Sequence, residues 1–237
     1  MNLTKFLLKE GATSFSWRSI FISVIKNSKS ILTKKENQEF TNNLVDEIQV
    51  ITAESFGTKM DTQSDDGVRN HVINAQTIAL LHDSTQIFGF ASFNDIPENK
   101  LLYLHGIAIA NNLKGIGAGP AVVKTLASIT KLPRIAFTTQ NPAMFCLLRK
   151  ICSEIYPSPE HELVPQSLQA LGQKLINGRS GELDHQTFII NDLYEKCLYD
   201  PIPGCNKKNI NQWFFESLKA NNGITRNGFL FVGEKYY

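Results

Sequence analysis

The sequence has little of what marks several large classes of protein. Its four cysteines, Cys146, Cys152, Cys197 and Cys205, make no CxxC pair and no metal-ligand spacing. They read as packing residues kept as thiols, and the expected setting is a cytosol-like, cytoplasmic compartment. Charge of one sign is also missing. Twenty-four basic against 22 acidic residues leave a net +2, too even for a nucleic-acid surface. Apolar runs such as Ile20 to Ile25 are far too short to span a bilayer. Lys5 and Lys9 flank Phe6-Leu7-Leu8 without the apolar core of a signal peptide. No repeat or low-complexity tract is visible. What remains is a globular composition, 42% hydrophobic and 19% charged, over 237 residues, long for one domain and short for two.

The order of elements can be read from periodicity. Residues 13–25, rich in β-branched and aromatic side chains, predict a strand. Phe40, Leu44, Ile48 and Ile51 have helical spacing within a helix expected from Ser30 to Phe56. Gly57 to Gly67 reads as a polar loop, and Val68 to Ile73 as a short helix. Thr77–Leu81 and Gln86–Phe93 read as a hairpin turning at His82-Asp83-Ser84, followed by a strand from Leu101 to Ala110. A helix over 120–130, a strand over 134–139 and a helix from Asn141 to Cys152 follow, with Asn141 as N-cap and Pro142 at the first position. Past Pro157-Ser158-Pro159 the pattern gives helices near 165–177 and 209–220 and strands near 186–190 and 229–233.

The most informative stretch runs from Tyr103 to Leu126. An apolar strand breaks at Asn111-Asn112, passes through Lys114, Gly115, Ile116, Gly117, Ala118 and Gly119, and becomes a helix carrying Val122, Val123 and Leu126. A strand, a glycine-rich turn and a helix N-terminus aim several backbone N–H groups at an anion, commonly a phosphate. The mononucleotide P-loop does not fit, because Gly119 is followed by Pro-Ala and the Lys124-Thr125 pair lies a full turn into the helix. The dinucleotide fingerprint lacks its third glycine. Counted from Gly115 that place is Pro120, and from Gly117 it is Val122, with no acidic residue near twenty positions on.

The same spacing resembles the acetyl-coenzyme A signature of the GNAT superfamily of N-acetyltransferases, Arg/Gln-x-x-Gly-x-Gly/Ala. Lys114, Gly117 and Gly119 occupy its fixed places, and Ile107-Ala108-Ile109 resembles the apolar strand end before it. Lysine departs from the pattern: it keeps the charge but loses the planar fork of arginine. The resemblance implies an α/β fold, a GNAT-like mixed, mostly antiparallel twisted central sheet flanked by helices. One domain of residues 1–237 is expected, with a core at about 13–155 and a C-terminal elaboration with closing strands at about 156–237. It implies acetyl-CoA as co-substrate, no metal, and a small-molecule or peptide amine as acceptor, with no nucleic acid or membrane partner. Homodimers are common in such folds.

Residue roles follow from that resemblance. Ile107, Ala108, Ile109, Lys114, Gly115, Ile116, Gly117, Ala118 and Gly119 would hold the donor, with Asn141 and Phe145 as further contacts. His105 stands where one of two strand histidines relays protons in the arylalkylamine N-acetyltransferases, and Tyr103 stands at the other place. An imidazole with an unperturbed pKa near about 6.5 suits a general base at neutral pH. Many family members carry a general-acid tyrosine within Asn-x-x-Ala-x-x-Leu-Tyr. Here Asn141 and Leu147 match, Ala143 comes one place early and Leu148 holds the tyrosine place, which leaves Tyr156 as the candidate. Asp184-His185 is a further acid–base pair, but adjacent strand residues point to opposite faces and make no dyad by themselves. The acidic cluster Asp61, Asp65 and Asp66 reads as a solvated loop, with attraction of a cationic amine as the alternative, and His71 and His161 carry no motif. Cys146 is the one candidate near the turn for a covalent route. The departures leave an alternative, a non-catalytic acyl-CoA-binding regulatory or interaction module.

Overall fold

The structure is a computed structural model that describes residues 3–58, 65–161 and 163–236, residues 65 and 66 by their backbone. Its contacts divide the chain into two compact units. One comprises residues up to 96 with 102–132, the other 97–101 with 133 onward.

The first unit contains α1 (Leu3–Lys9), β1 (Thr13–Trp17), β2 (Ile20–Lys26), α2 (Ser28–Leu32), α3 (Gln38–Phe56), α4 (Asp65–Ile73), β3 (Thr77–His82), β4 (Ile87–Ile96), most of β5 (Leu101–Ile109) and α5 (Ala118–Ile129). The strands lie in the order β1-β2-β3-β4-β5, and the first four pair antiparallel. Alternation explains why both faces of the sheet are covered. Ile25, Ile78, Leu80, Phe90 and Ala108 meet Phe6, Phe40, Leu44, Ile48 and Val72 from α1, α3 and α4. The intervening Ile22, Val24, Ala79 and Leu81 are also fully buried, and α5 packs on β2 and β3.

The second unit contains β6 (Arg134–Thr139), α6 (Pro142–Leu148), β7 (Cys152–Tyr156), α7 (Gln166–Ile176), β8 (Glu182–Leu183), β9 (Ile189–Asn191), α8 (Lys208–Ser217) and β10 (Gly228–Lys235). Here β10 is central. It pairs antiparallel with β6, and its two ends pair antiparallel with β9 and with β7. The described architecture is therefore mixed α/β, with a mostly antiparallel sheet flanked by helices.

Several expectations need correction. Residues 13–25 form a hairpin, broken at Arg18, whose φ of 54° no strand permits. The helix expected from Ser30 is interrupted, because the buried Asn37 side chain donates to the Ile31 carbonyl (3.0 Å) and to Glu10 Oε1 (3.2 Å). Thr41 Oγ1 takes the Leu32 carbonyl as well (2.9 Å), so α2 and α3 end and start separately. The helix α4 begins at Asp65, inside the expected loop, of which residues 59–64 lie outside the described part. The helix after Asn141 stops at Leu148, and Cys152 opens β7, whose register with β10 supersedes a run that reads as helical. The helix after the glycine turn begins at Ala118, so Pro120 is its third residue. That position also has no intrahelical N–H partner, so the missing donor costs no bond. Neither α1 nor β8 was expected.

The Glu10 carboxylate, its side chain 5% exposed, ties α1 to the start of α3 through Lys34 (3.0 Å), Lys9 (3.4 Å) and Asn37. Burial alone would push its pKa up. The bonds to Lys34, Asn37 and Lys9 together outweigh burial and hold it below the ordinary 4.5. A carboxyl depressed in the folded state stabilises the fold above its unfolded pKa, and that contribution is lost as pH falls through the folded value. We expect the urea midpoint of the wild type to exceed that of Glu10→Gln at neutral pH, the gap closing as pH drops below 4.5.

Candidate functional site

In the first unit β5 leads through a 3-10 turn, Asn111–Leu113, into Lys114, Gly115, Ile116 and Gly117 and then α5. The strand end is fixed by Ala110 N–H donating to the Phe88 carbonyl (2.8 Å). Gly115 and Gly117 have φ of +77° and +97°, a conformation that costs other residues a clash between Cβ and carbonyl. A Cβ on either would meet no described atom within 4 Å. The glycines thus suit the backbone conformation, and among the described residues the space above them is open. Gly117 is the N-cap of α5 and its carbonyl accepts from Ala121 N–H (3.0 Å). The amides of Ala118 and Gly119, one turn earlier, have no intrahelical partner, so they and the helix dipole present positive charge to that space.

Lys114 does not reach over the turn. Its ammonium donates to the Ser55 carbonyl at 2.7 Å, in the last turn of α3. That helix ends in a left-handed cap at Gly57, and the cation takes one of its leftover carbonyls. Burial lowers the Lys114 pKa, opposed by the charge of Glu54. The cation beside the glycine loop comes instead from Arg18, at the tip of the β1–β2 hairpin. Its Nη2 donates to the Ile116 carbonyl (3.2 Å) and its guanidinium lies 5.1 Å from the centre of the Trp17 ring. Nothing in the local sequence marks Arg18, which stands 98 positions from its partner.

A second feature of this unit surrounds His105. Tyr103 is buried, His105 half-buried, and their rings meet edge to face with centroids 4.9 Å apart. The exposed His71 of α4 brings its ring within 6.5 Å of His105. His71 lies over Gly106, where a Cβ would make ordinary van der Waals contacts of 3.6 Å with His71 Cγ and Ser92 Oγ. That Ser92 hydroxyl is wholly buried, with no hydrogen-bond partner among the described residues. Nothing around His71 in the sequence marks it, because only the packing of α4 on the sheet brings it to β5.

The remaining candidates belong to the second unit. Asn141 is the expected N-cap of α6: its Oδ1 accepts from Ala143 N–H (2.9 Å), and its Nδ2 donates to Tyr199 Oη (3.4 Å). Phe145 is 1% exposed and encased by Trp213, Phe214 and Phe231, which gives it a packing role and leaves no side-chain surface for a ligand. Tyr156 donates to Glu154 (3.4 Å) and its ring faces His161 at 5.0 Å. Burial, then Glu154, pushes its hydroxyl pKa above the ordinary 10.0. Asp184 and His185 lie in the turn between β8 and β9, where the Asp184 carboxylate accepts from Gln186 and Thr187 N–H and forms no dyad. Of the acidic cluster, Asp61 lies outside the described residues.

No protein-family model matches the chain, and no curated protein matches its sequence. Solved acetyltransferases, including members of the GNAT family, do resemble it in structure. An IAA acetyltransferase from Bacillus cereus is 10% identical, the match covering 90% of this chain and 99% of that one with a TM-score of 0.45. The diaminobutyrate acetyltransferase of Paenibacillus lautus, solved with L-2,4-diaminobutyric acid and coenzyme A, is 13% identical, over 61% and 86% of the two chains, TM-score 0.40. A Desulfovibrio desulfuricans protein described as an acetyltransferase of the GNAT family is 9% identical, over 90% and 98%, TM-score 0.43. At such identities these are likenesses of fold alone. Among the described residues no three His, Cys, Asp or Glu gather as a metal site, and no helix is long and apolar enough to cross a membrane.

Two substitutions separate the roles of the turn. Gly117→Ala forces alanine to a positive φ and should cost about 1–2 kcal/mol of stability. Lys114→Met removes one charge-assisted bond to a helix end and should cost about 1 kcal/mol. Urea unfolding of both variants checks the order.

Proposed function

We propose that the chain is an acetyl-coenzyme A-dependent N-acetyltransferase acting on a primary amine by direct attack in a ternary complex. The observation that carries this reading is the open space over Gly115 and Gly117 at the N-terminus of α5, with positive φ at both glycines. That arrangement suits the pyrophosphate of the donor, whose oxygens need several N–H groups converging from one side. Because Lys114 is engaged with Ser55, the side-chain cation for those phosphates is Arg18, whose planar fork can bind two oxygens at once.

His105 acts as general base. It takes a proton from the acceptor's ammonium, and the freed nitrogen lone pair attacks the thioester carbonyl carbon. As the tetrahedral adduct collapses the C–S bond breaks, and the electron pair leaves on sulfur as a thiolate that water can protonate. Tyr103, edge-on to His105, orients the imidazole. Holding the reactants in line and moving the proton each lower the barrier to an amine acylation.

Calorimetric titration with acetyl-CoA and thiol release with a panel of amines test the reading. We expect His105→Ala to keep donor affinity while turnover falls about 100-fold or more. A wild type that binds acetyl-CoA and releases thiol with no amine would replace the enzyme by a binding module. For Arg18→Gln we expect the KM for acetyl-CoA to rise about tenfold, as loss of one charge-assisted bond implies. Turnover of S-acetyl-pantetheine, which has no pyrophosphate, should be unchanged by that substitution.

A further inference from the structure

Two of the four thiols in this chain are in contact. Cys146, on α6, and Cys205, just before α8, place their Sγ atoms 3.3 Å apart although 59 positions separate them in sequence. A disulfide needs about 2.05 Å between sulfurs, so closure asks for little more than about 1 Å of approach. Both residues are half-buried, which leaves a path for a small oxidant.

Each sulfur is held by its surroundings. The Asn211 side chain clamps the backbone of Cys205 from both sides: its Oδ1 accepts from Cys205 N–H (2.8 Å) and its Nδ2 donates to the Cys205 carbonyl (2.9 Å). Cys146 is fixed through α6, capped by Asn141 and anchored by Phe145 against Trp213 and Phe214 of α8. The other two thiols are placed differently. Cys152 is 3% exposed beneath Gly233, and Cys197 lies against Gln140 Oε1 (3.6 Å).

We propose that Cys146 and Cys205 are a modification site, a dithiol that a peroxide converts to an intramolecular disulfide joining α6 to the segment before α8. One thiol gives up its proton and its sulfur attacks the peroxide; the O–O bond breaks, the leaving hydroxide takes that proton as water, and a sulfenic acid forms. The second thiol loses its proton and attacks that sulfur, the S–S bond forms, and a second water leaves. Two electrons pass from the sulfurs to the peroxide oxygens, and a reducing thiol reverses the step. Burial, then the neighbouring Cys205, pushes the Cys146 thiol up to about 11.

The test is thiol counting in denaturant after the folded full-length chain is treated with one equivalent of hydrogen peroxide. We expect four thiols to become two, the mass of the monomer to fall by two hydrogens, and dithiothreitol to restore both. Cys197→Ser should still lose two thiols, whereas Cys146→Ser and Cys205→Ser should form no internal disulfide. The oxidised wild type should also melt higher, because the cross-link restricts the unfolded chain. Retention of four thiols, an internal disulfide in either of those two variants, or covalent dimers as the main product would overturn the proposal.

Discussion

Two glycines held at positive φ set the direction of the chain between β5 and α5, and much of the first unit depends on that direction. With Gly115 and Gly117 left-handed, α5 turns back to lay Val122, Val123 and Leu126, all fully buried, toward the sheet. Lys114 ties the same loop to the last turn of α3, so the helix ending at Phe56 and the helix starting at Ala118 are registered through one ammonium. One bond thus serves two ends. It completes the carbonyls of α3 and spares the loop a flexible cation above its open face.

The second unit is organised around a different polar constraint. Gln140, fully buried where β6 passes into α6, has both amide hydrogens taken, by the carbonyls of Thr225 (2.8 Å) and Asn227 (3.0 Å). Its oxygen accepts from Leu198 N–H (3.0 Å). One side chain thereby joins three segments that share no regular pairing. Such a group is tolerable in a core only because its partners are all present. In the same unit Phe137, Phe145, Trp213, Phe214, Phe229 and Phe231 form a continuous set of ring contacts.

What the sequence disclosed follows the range of the interactions involved. Strands β3, β4 and β6, the N-cap at Asn141 and the glycine turn were legible, since period, proline, asparagine and glycine act over a few residues. The break at Asn37 was not, because it depends on Glu10, 27 positions away. The hairpin at Arg18 lacks the glycine or asparagine that ordinarily announces a positive φ. In the site, the loop that faces the open space could be found from its own letters. Arg18 and His71 could not, since each reaches the site only through the packing of another element.

The short N-terminal helix has a wider importance than its seven residues suggest. Phe6 is wholly buried and stacks on Phe40 with ring centroids 3.6 Å apart, while Glu10 closes the junction behind it. The helix works as a stopper over the apolar end of α3. Proteolytic removal of this helix would therefore do more than shorten the chain. It would unseal the core, leave Phe40 and Leu44 facing water, and turn a stable product into a substrate for chaperones and further digestion.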